Sequence, residues 1–155
     1  GDRKGKNLYG NSVVALDVNT GKLKWYQQLV HHDLWDFDLP AAPALFDVKR
    51  NGRTIPAVGV ITKMSTLFIF NRETGEPIYG MEERPVPASD VPGEAAWPTQ
   101  PFPVKPPPLG RTTFDPAKDF NTLTPEVEAF CKDLWTKNKL YTKGIFTPAG
   151  VEYGF

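Results

Sequence analysis

Between His31 and Asp38 the chain reads HHDLWDFD, which places two histidines, three aspartates and a tryptophan in eight residues. Three kinds of chemistry suit these types. Metal ligation through the histidines is disfavoured, because adjacent residues in a strand point to opposite faces and the chain's two histidines are too few for a zinc centre. Calcium on Asp33, Asp36 and Asp38 is conceivable, yet no glycine-bearing loop of the EF-hand kind accompanies them. General base chemistry needs one carboxylate tuned by burial and neighbouring charge, and Asp36, between Trp35 and Phe37, has the sequence setting for it. The plainer reading is that the three aspartates accept hydrogen bonds from turn backbone, and on residue types alone it weighs more.

Lys63 stands out in VGVITKMSTLFIF, an otherwise apolar β pattern. A lysine there ordinarily ends a strand with its ammonium in water. The functional alternative is a cation held over an anionic or carbonyl-bearing cofactor. Cys131 reads as core, and Trp25, Trp97 and Trp135 read as packing.

The elements that must carry these residues are mainly β. NSVVALDVNTGKLKWYQQLV has two β-favouring runs around DVNTGK, in which Gly21 is free to take a positive φ, and so predicts a hairpin. A degenerate second copy, FNRETGEPIY, lies 54 residues on, with Gly75 answering Gly21. AAPALFDV and IPAVGVITK predict two further strands around Asn51-Gly52. Short strands repeating at this interval suit propeller blades. After Gly80 the prolines accumulate, which excludes helix and central strand and predicts an extended path, docked by Trp97, Phe102 and Leu109. TPEVEAFCKDLWTKNK then predicts one helix, with Thr124 as N-cap, Pro125 at the first position and an apolar stripe of Val127, Phe130, Cys131, Leu134 and Trp135. The expected fold class is therefore mainly β: about two antiparallel blades of a β-propeller, a Pro-rich excursion and one amphipathic α-helix. The expected divisions are 1–80 for the blade segments, 81–121 for the excursion, and 122–155 for the helix and the start of a further blade.

Eighteen basic residues balance eighteen acidic ones in the 155-residue chain, so no field attracts nucleic acid or an anionic membrane. The single cysteine excludes an internal disulfide and a multi-cysteine zinc site. No apolar run approaches a membrane span. The chain enters strand chemistry within a few residues and closes on apolar ones, which reads as an internal excerpt of a longer protein.

Together these segments resemble the quinoprotein dehydrogenases, pyrroloquinoline-quinone-dependent enzymes on an eight-bladed β-propeller, and most of all their membrane-bound glucose dehydrogenase branch. ALDVNTGKLKW is similar to the tryptophan-docking repeat that links blades. HHDLWDFDLPAAP resembles the stretch with the family's catalytic aspartate, and TKMSTLFIFNRETGEP the stretch with its quinone-binding lysine. PTQPFPVKPPPL, LTPEVEAFCKDL and GIFTP resemble the excursion that follows. The resemblance implies that Asp36 is the general base and that Lys63, 27 residues later, bonds the quinone oxygens, with His31, His32, Asp33 and Asp38 as scaffold or pocket wall.

The same resemblance implies hydride transfer from a sugar or alcohol to pyrroloquinoline quinone, calcium held by ligands mostly outside this chain, a periplasmic parent whose membrane anchor, if it has one, lies outside this segment, and a respiratory quinone or cytochrome as acceptor. The metal ligands within the chain are unknown. Two blades cannot close a ring of eight, so the excerpt alone is expected to pair with the remaining blades, self-associate or repack. The competing reading is a non-catalytic propeller-repeat scaffold, or a fragment inactive in isolation. Asp36 paired with Lys63 favours the enzyme, since a scaffold needs neither.

Overall fold

The structure is a computed structural model that describes residues 3–153. Seven strands and one helix follow in the order β1 Ser12–Leu16, β2 Leu23–Gln28, β3 Ala44–Arg50, β4 Arg53–Ile61, β5 Leu67–Asn71, β6 Met81–Pro85, β7 Thr99–Pro103 and α1 Pro125–Lys137. All strand pairs are antiparallel and form three small sheets, β1-β2, β3-β4-β5 and β6-β7. The fold is mainly β with one helix, as the sequence predicts. Beyond β5 the three-stranded sheet is extended only by a bridge between Phe70 and Pro77, with Ile78 N donating to Ile69 O.

The repeat is a real structural unit because both copies close the same turn. Asp17 Oδ1 accepts from the backbone N–H of Asn19 and Thr20, and Asn71 Oδ1 from those of Glu73 and Thr74. Gly21 (φ +66°) and Gly75 (φ +79°) end the two turns in the left-handed region, where a Cβ is penalised. Trp25 then locks the first copy to the second: its indole Nε1 donates to Arg72 O at 3.0 Å, and its ring covers Gly75 so closely that a Cβ there would lie 2.8 Å from Trp25 Cδ2. Gln27 Nε2 adds a bond to Gly75 O at 3.0 Å. Under this seam lies a core of Val13, Leu29, Val58, Val60, Phe68 and Phe70, drawn from both sheets.

Trp25→Ala therefore removes a hydrogen bond and a large ring together. It is expected to lower unfolding stability by about 3 kcal/mol, the lower end for a buried aromatic because Trp25 is only partly buried. Gly75→Ala should be strongly destabilising beside Trp25 and much less so in the Trp25→Ala background. Urea unfolding midpoints of the four proteins check this; equal costs of Gly75→Ala in both backgrounds would contradict it.

In the Pro-rich stretch the structure departs from the expected extended path, since β6 and β7 pair as a ribbon. The prolines are compatible because of register. Pro85, Pro101 and Pro103 all fall in alternate pairs, opposite Thr99, Glu83 and Met81. The flanking bonds Val86 N to Pro98 O and Val104 N to Gly80 O mark these as the pairs that exchange no ladder bond, so no required N–H is missing. Phe102 packs as expected, against Phe146, but Leu109 is exposed.

Helix α1 begins as the sequence predicts, with Thr124 Oγ1 accepting from Val127 N and Pro125 at its start. Its stripe is not a core, however. No helix residue is buried, Phe130 is 65% exposed, and Cys131 is partly exposed, which corrects its reading as core. Only Trp135 finds aromatic partners, Phe114 and Phe120. The stripe has the period of a buried helix, but no facing element covers it among the described residues. Among the described residues no helix is long and apolar enough to cross a membrane.

Candidate active site

The segment after β2 is neither strand nor helix, so His31 and His32 do not alternate across a strand as expected. Both are buried and diverge to separate partners. His32, at φ +43°, turns its Nδ1 to Gly5 O and the Asn7 amide. His31 bridges Gln28 Oε1 at 2.6 Å and Glu83 Oε1 at 2.8 Å, tying β2 to β6. The fully buried Gln100 of β7 completes the joint, its Oε1 accepting from His31 N and its Nε2 donating to His31 O. Partial burial opposes ionisation of Glu83, but hydrogen bonds from His31 and Thr99 outweigh it and hold the carboxyl below its usual range. These histidines are joints between elements. Among the described residues no three His, Cys, Asp or Glu side chains converge as a metal cluster.

Asp36 is presented differently from its neighbours. Trp35 is buried, stacks on Phe37, meets Phe146 edge-on and donates its indole N–H to Thr147 O at 2.8 Å. Asp36 itself is at φ +62°, and its side chain is 90% exposed. The aromatic setting expected from the sequence is thus turned inward while the carboxylate points out. The left-handed turn separates them, and aspartate tolerates that conformation better than most residues. The neighbour of the Asp36 carboxylate is a charged side chain rather than an aromatic wall.

Lys63 supplies that charge. It lies in the turn between β4 and β5, beyond the strand in which its apolar neighbours suggest it ends, and the turn is closed by Thr62 N to Thr66 O and by the Thr62 and Thr66 hydroxyls at 2.7 Å. Met64 buries itself beside it, so the ammonium is directed outward. Lys63 Nζ donates to Asp36 O at 2.9 Å and to Asp36 Oδ2 at 3.2 Å, and also contacts Asp38 Oδ1. The Asp38 carboxylate, opposed by desolvation and joined by Asp36, holds the ammonium above the usual lysine range, so it remains charged at neutral pH. At 37% exposure its head remains reachable.

Beside Asp36 opens a cleft of about 680 Å³, lined among others by Arg3, Lys6, Asn11, His32 and Asp33. Asp36 is part of that lining and Lys63 is not; chemically, the pair can offer a proton acceptor next to a donor for a developing negative charge. The sequence reading passed over Asn11, Gln28, Glu83, Gln100 and Thr147. Only Gln100 carried a signal, as a polar residue inside the run PTQPF.

Residues 1–154 match the family described as PQQ: glucose/ethanol/alcohol dehydrogenase, β-propeller domain. The quinoprotein glucose dehydrogenase of Escherichia coli is 37% identical over 145 residues, covering 90% of this chain and 17% of its own length. The quinate/shikimate dehydrogenase (quinone) of Acinetobacter baylyi is 39% identical over 145 residues, covering 93% of this chain and 18% of its own. The quinoprotein glucose dehydrogenase of Gluconobacter oxydans is 45% identical over 104 residues, covering 66% of this chain and 13% of its own. The chain spans less than a fifth of the length of these relatives.

Proposed function

The chain belongs to the PQQ-dependent glucose/ethanol/alcohol dehydrogenase β-propeller family, and we propose that it contributes to its parent protein the general base, Asp36, and a cofactor-holding cation, Lys63, for oxidation of a sugar or alcohol. The observation that carries this reading is the meeting of Lys63 Nζ with Asp36 Oδ2, 3.2 Å apart from positions 27 residues distant in the chain. When bound, pyrroloquinoline quinone supplies a carbonyl carbon that accepts hydride. Asp36 takes the proton of the substrate hydroxyl as the carbinol C–H bond breaks, leaving a carbonyl product. Lys63 would hold the quinone oxygens by giving up one of its three present acceptors, Asp36 O, Asp36 Oδ2 and Asp38 Oδ1, and would there stabilise negative charge.

The donor set supports this division of labour. Asp36 and Asp38 share the one ammonium of Lys63, which leaves the trio with a net charge of −1, and two carboxylates already engaged with a lysine do not make a calcium cage. Calcium is therefore assigned to ligands elsewhere in the parent. The names of the relatives span glucose and quinate or shikimate, so the substrate class is a hydroxyl-bearing sugar or alcohol. On this reading the parent works in the periplasm and passes electrons to a respiratory quinone or cytochrome. Reconstitution of the full-length parent with pyrroloquinoline quinone and calcium, followed by dye reduction over a panel of aldoses, polyols and simple alcohols, should give turnover that depends on the quinone. Failure with every hydroxyl substrate would overturn the proposal.

A further inference from the structure

We propose that Asp33 is the positioning residue that sets the Asp36–Lys63 geometry, acting through the single peptide unit between Asp36 and Phe37. The inference rests on the roles just assigned to Asp36 and Lys63. Its basis is a set of bonds around that peptide. Asp33 Oδ1 accepts from Trp35 N at 2.9 Å, and Asp33 Oδ2 accepts from Phe37 N at 2.8 Å, so the carboxylate takes the N–H on each side of Asp36. The Phe37 N–H and the Asp36 carbonyl belong to the same planar unit and point in opposite directions. Lys63 Nζ holds that carbonyl at 2.9 Å. One peptide is therefore gripped at its N–H end by an anion and at its carbonyl end by a cation.

Two consequences follow from elementary electrostatics. An anion at the N–H end polarises the peptide and strengthens the carbonyl as an acceptor for the ammonium. With the peptide plane fixed and Trp35 pinned to Thr147 O, the backbone at Asp36 is held at φ +62° and its side chain is aimed outward. Asp33 is itself steadied from β1's side of the fold, where Asn11 Nδ2 donates to Asp33 Oδ2 at 2.8 Å and to Phe37 O at 3.3 Å. An aspartate that merely closed a turn would need none of these outer contacts.

The test uses the full-length parent carrying Asp33→Asn, singly and combined with Asp36→Asn or Lys63→Ala. The amide keeps the size of the carboxylate but turns one acceptor into a donor facing N–H groups. We expect kcat to fall on the order of 10²-fold, as misplacement of a reacting group does, with the substrate KM little changed. Added to Asp36→Asn, the substitution should cost nothing further, because residues acting as a unit are non-additive. Independently of turnover, quinone affinity measured by fluorescence titration should weaken about tenfold in the wild-type background and remain unchanged in the Lys63→Ala background. Should Asp33→Asn fail to fold, Asn11→Ala, which loosens only the outer brace, should show the same pattern at smaller amplitude. A kcat within twofold of wild type, or losses that multiply fully in both double variants, would overturn the inference. If Asp36→Asn alone leaves the rate intact, the base assignment fails, and the quinone-binding cycle still decides the role of Asp33.

Discussion

Asp36→Asn in the full-length parent should lower kcat on the order of 10²- to 10⁴-fold, the usual worth of a positioned general base. The substitution is clean for structural reasons. Asparagine is the other residue that accepts the left-handed conformation readily, so φ +62° is retained without new strain. The backbone carbonyl that receives Lys63 is untouched, and the amide oxygen can still accept from the ammonium. The negative charge and, with it, the capacity to take up a proton are removed. Thermal unfolding and quinone affinity should accordingly stay close to wild type while dye reduction at saturating substrate collapses. A kcat within threefold of wild type would refute the assignment, and a matching loss of stability would mean that Asp36 is scaffold.

The second large effect is on cofactor retention. Lys63→Ala should weaken quinone binding on the order of 10- to 10²-fold, as expected for loss of a hydrogen bond to a charged group worth about 1.5–3 kcal/mol. The same change leaves Asp36 and Asp38 facing each other without a cation, so any binding that remains must also meet like charge. The sign of the pH dependence is set by the raised affinity of Lys63 for its proton. A folded value above the ordinary lysine value of 10.5 means that the ammonium's contribution is fully present below that pH and is lost only as pH rises through the folded value. Quinone affinity should therefore not decline between pH 7 and pH 9 on account of Lys63. Titrations over that range check it, and a decline in wild type that vanishes in Lys63→Ala would show the lysine deprotonating there.

How much of this was legible beforehand depended on whether the determining forces were local. The turns at Asp17–Gly21 and Asn71–Gly75 were readable because side-chain capping and a glycine at positive φ are written in consecutive residues. The start of α1 was readable for the same reason, through Thr124 and Pro125. Its apolar stripe misled, since the period of Val127, Phe130 and Leu134 reports a surface suited to burial and says nothing of whether a partner lies against it. The β6-β7 ribbon was hidden by its prolines, because residue type alone does not reveal that all three fall on pairs that need no N–H.

At the site, the closeness of Asp36 and Lys63 came from resemblance to a family, since nothing in their own flanks places them together. The sequence also pointed to the wrong surroundings for Asp36. Its aromatic neighbours suggested tuning by burial, and the positive φ at Asp36 instead buries Trp35 and leaves the carboxylate to Lys63. The joints made by His31 with Gln28, Glu83 and Gln100 link positions up to 69 residues apart, beyond the reach of any local pattern.

The central claim is that Asp36, held beside Lys63, is the group that must be unprotonated for turnover. Its most direct test is the pH profile of kcat/KM for the reconstituted full-length parent and its Asp36→Asn variant, measured with one good substrate. The wild-type profile should fall on the acid side with the slope of a single protonation, and the variant's much lower rate should lose that limb. An acid limb of the same position and slope persisting in Asp36→Asn would place the essential base on another residue and contradict the account.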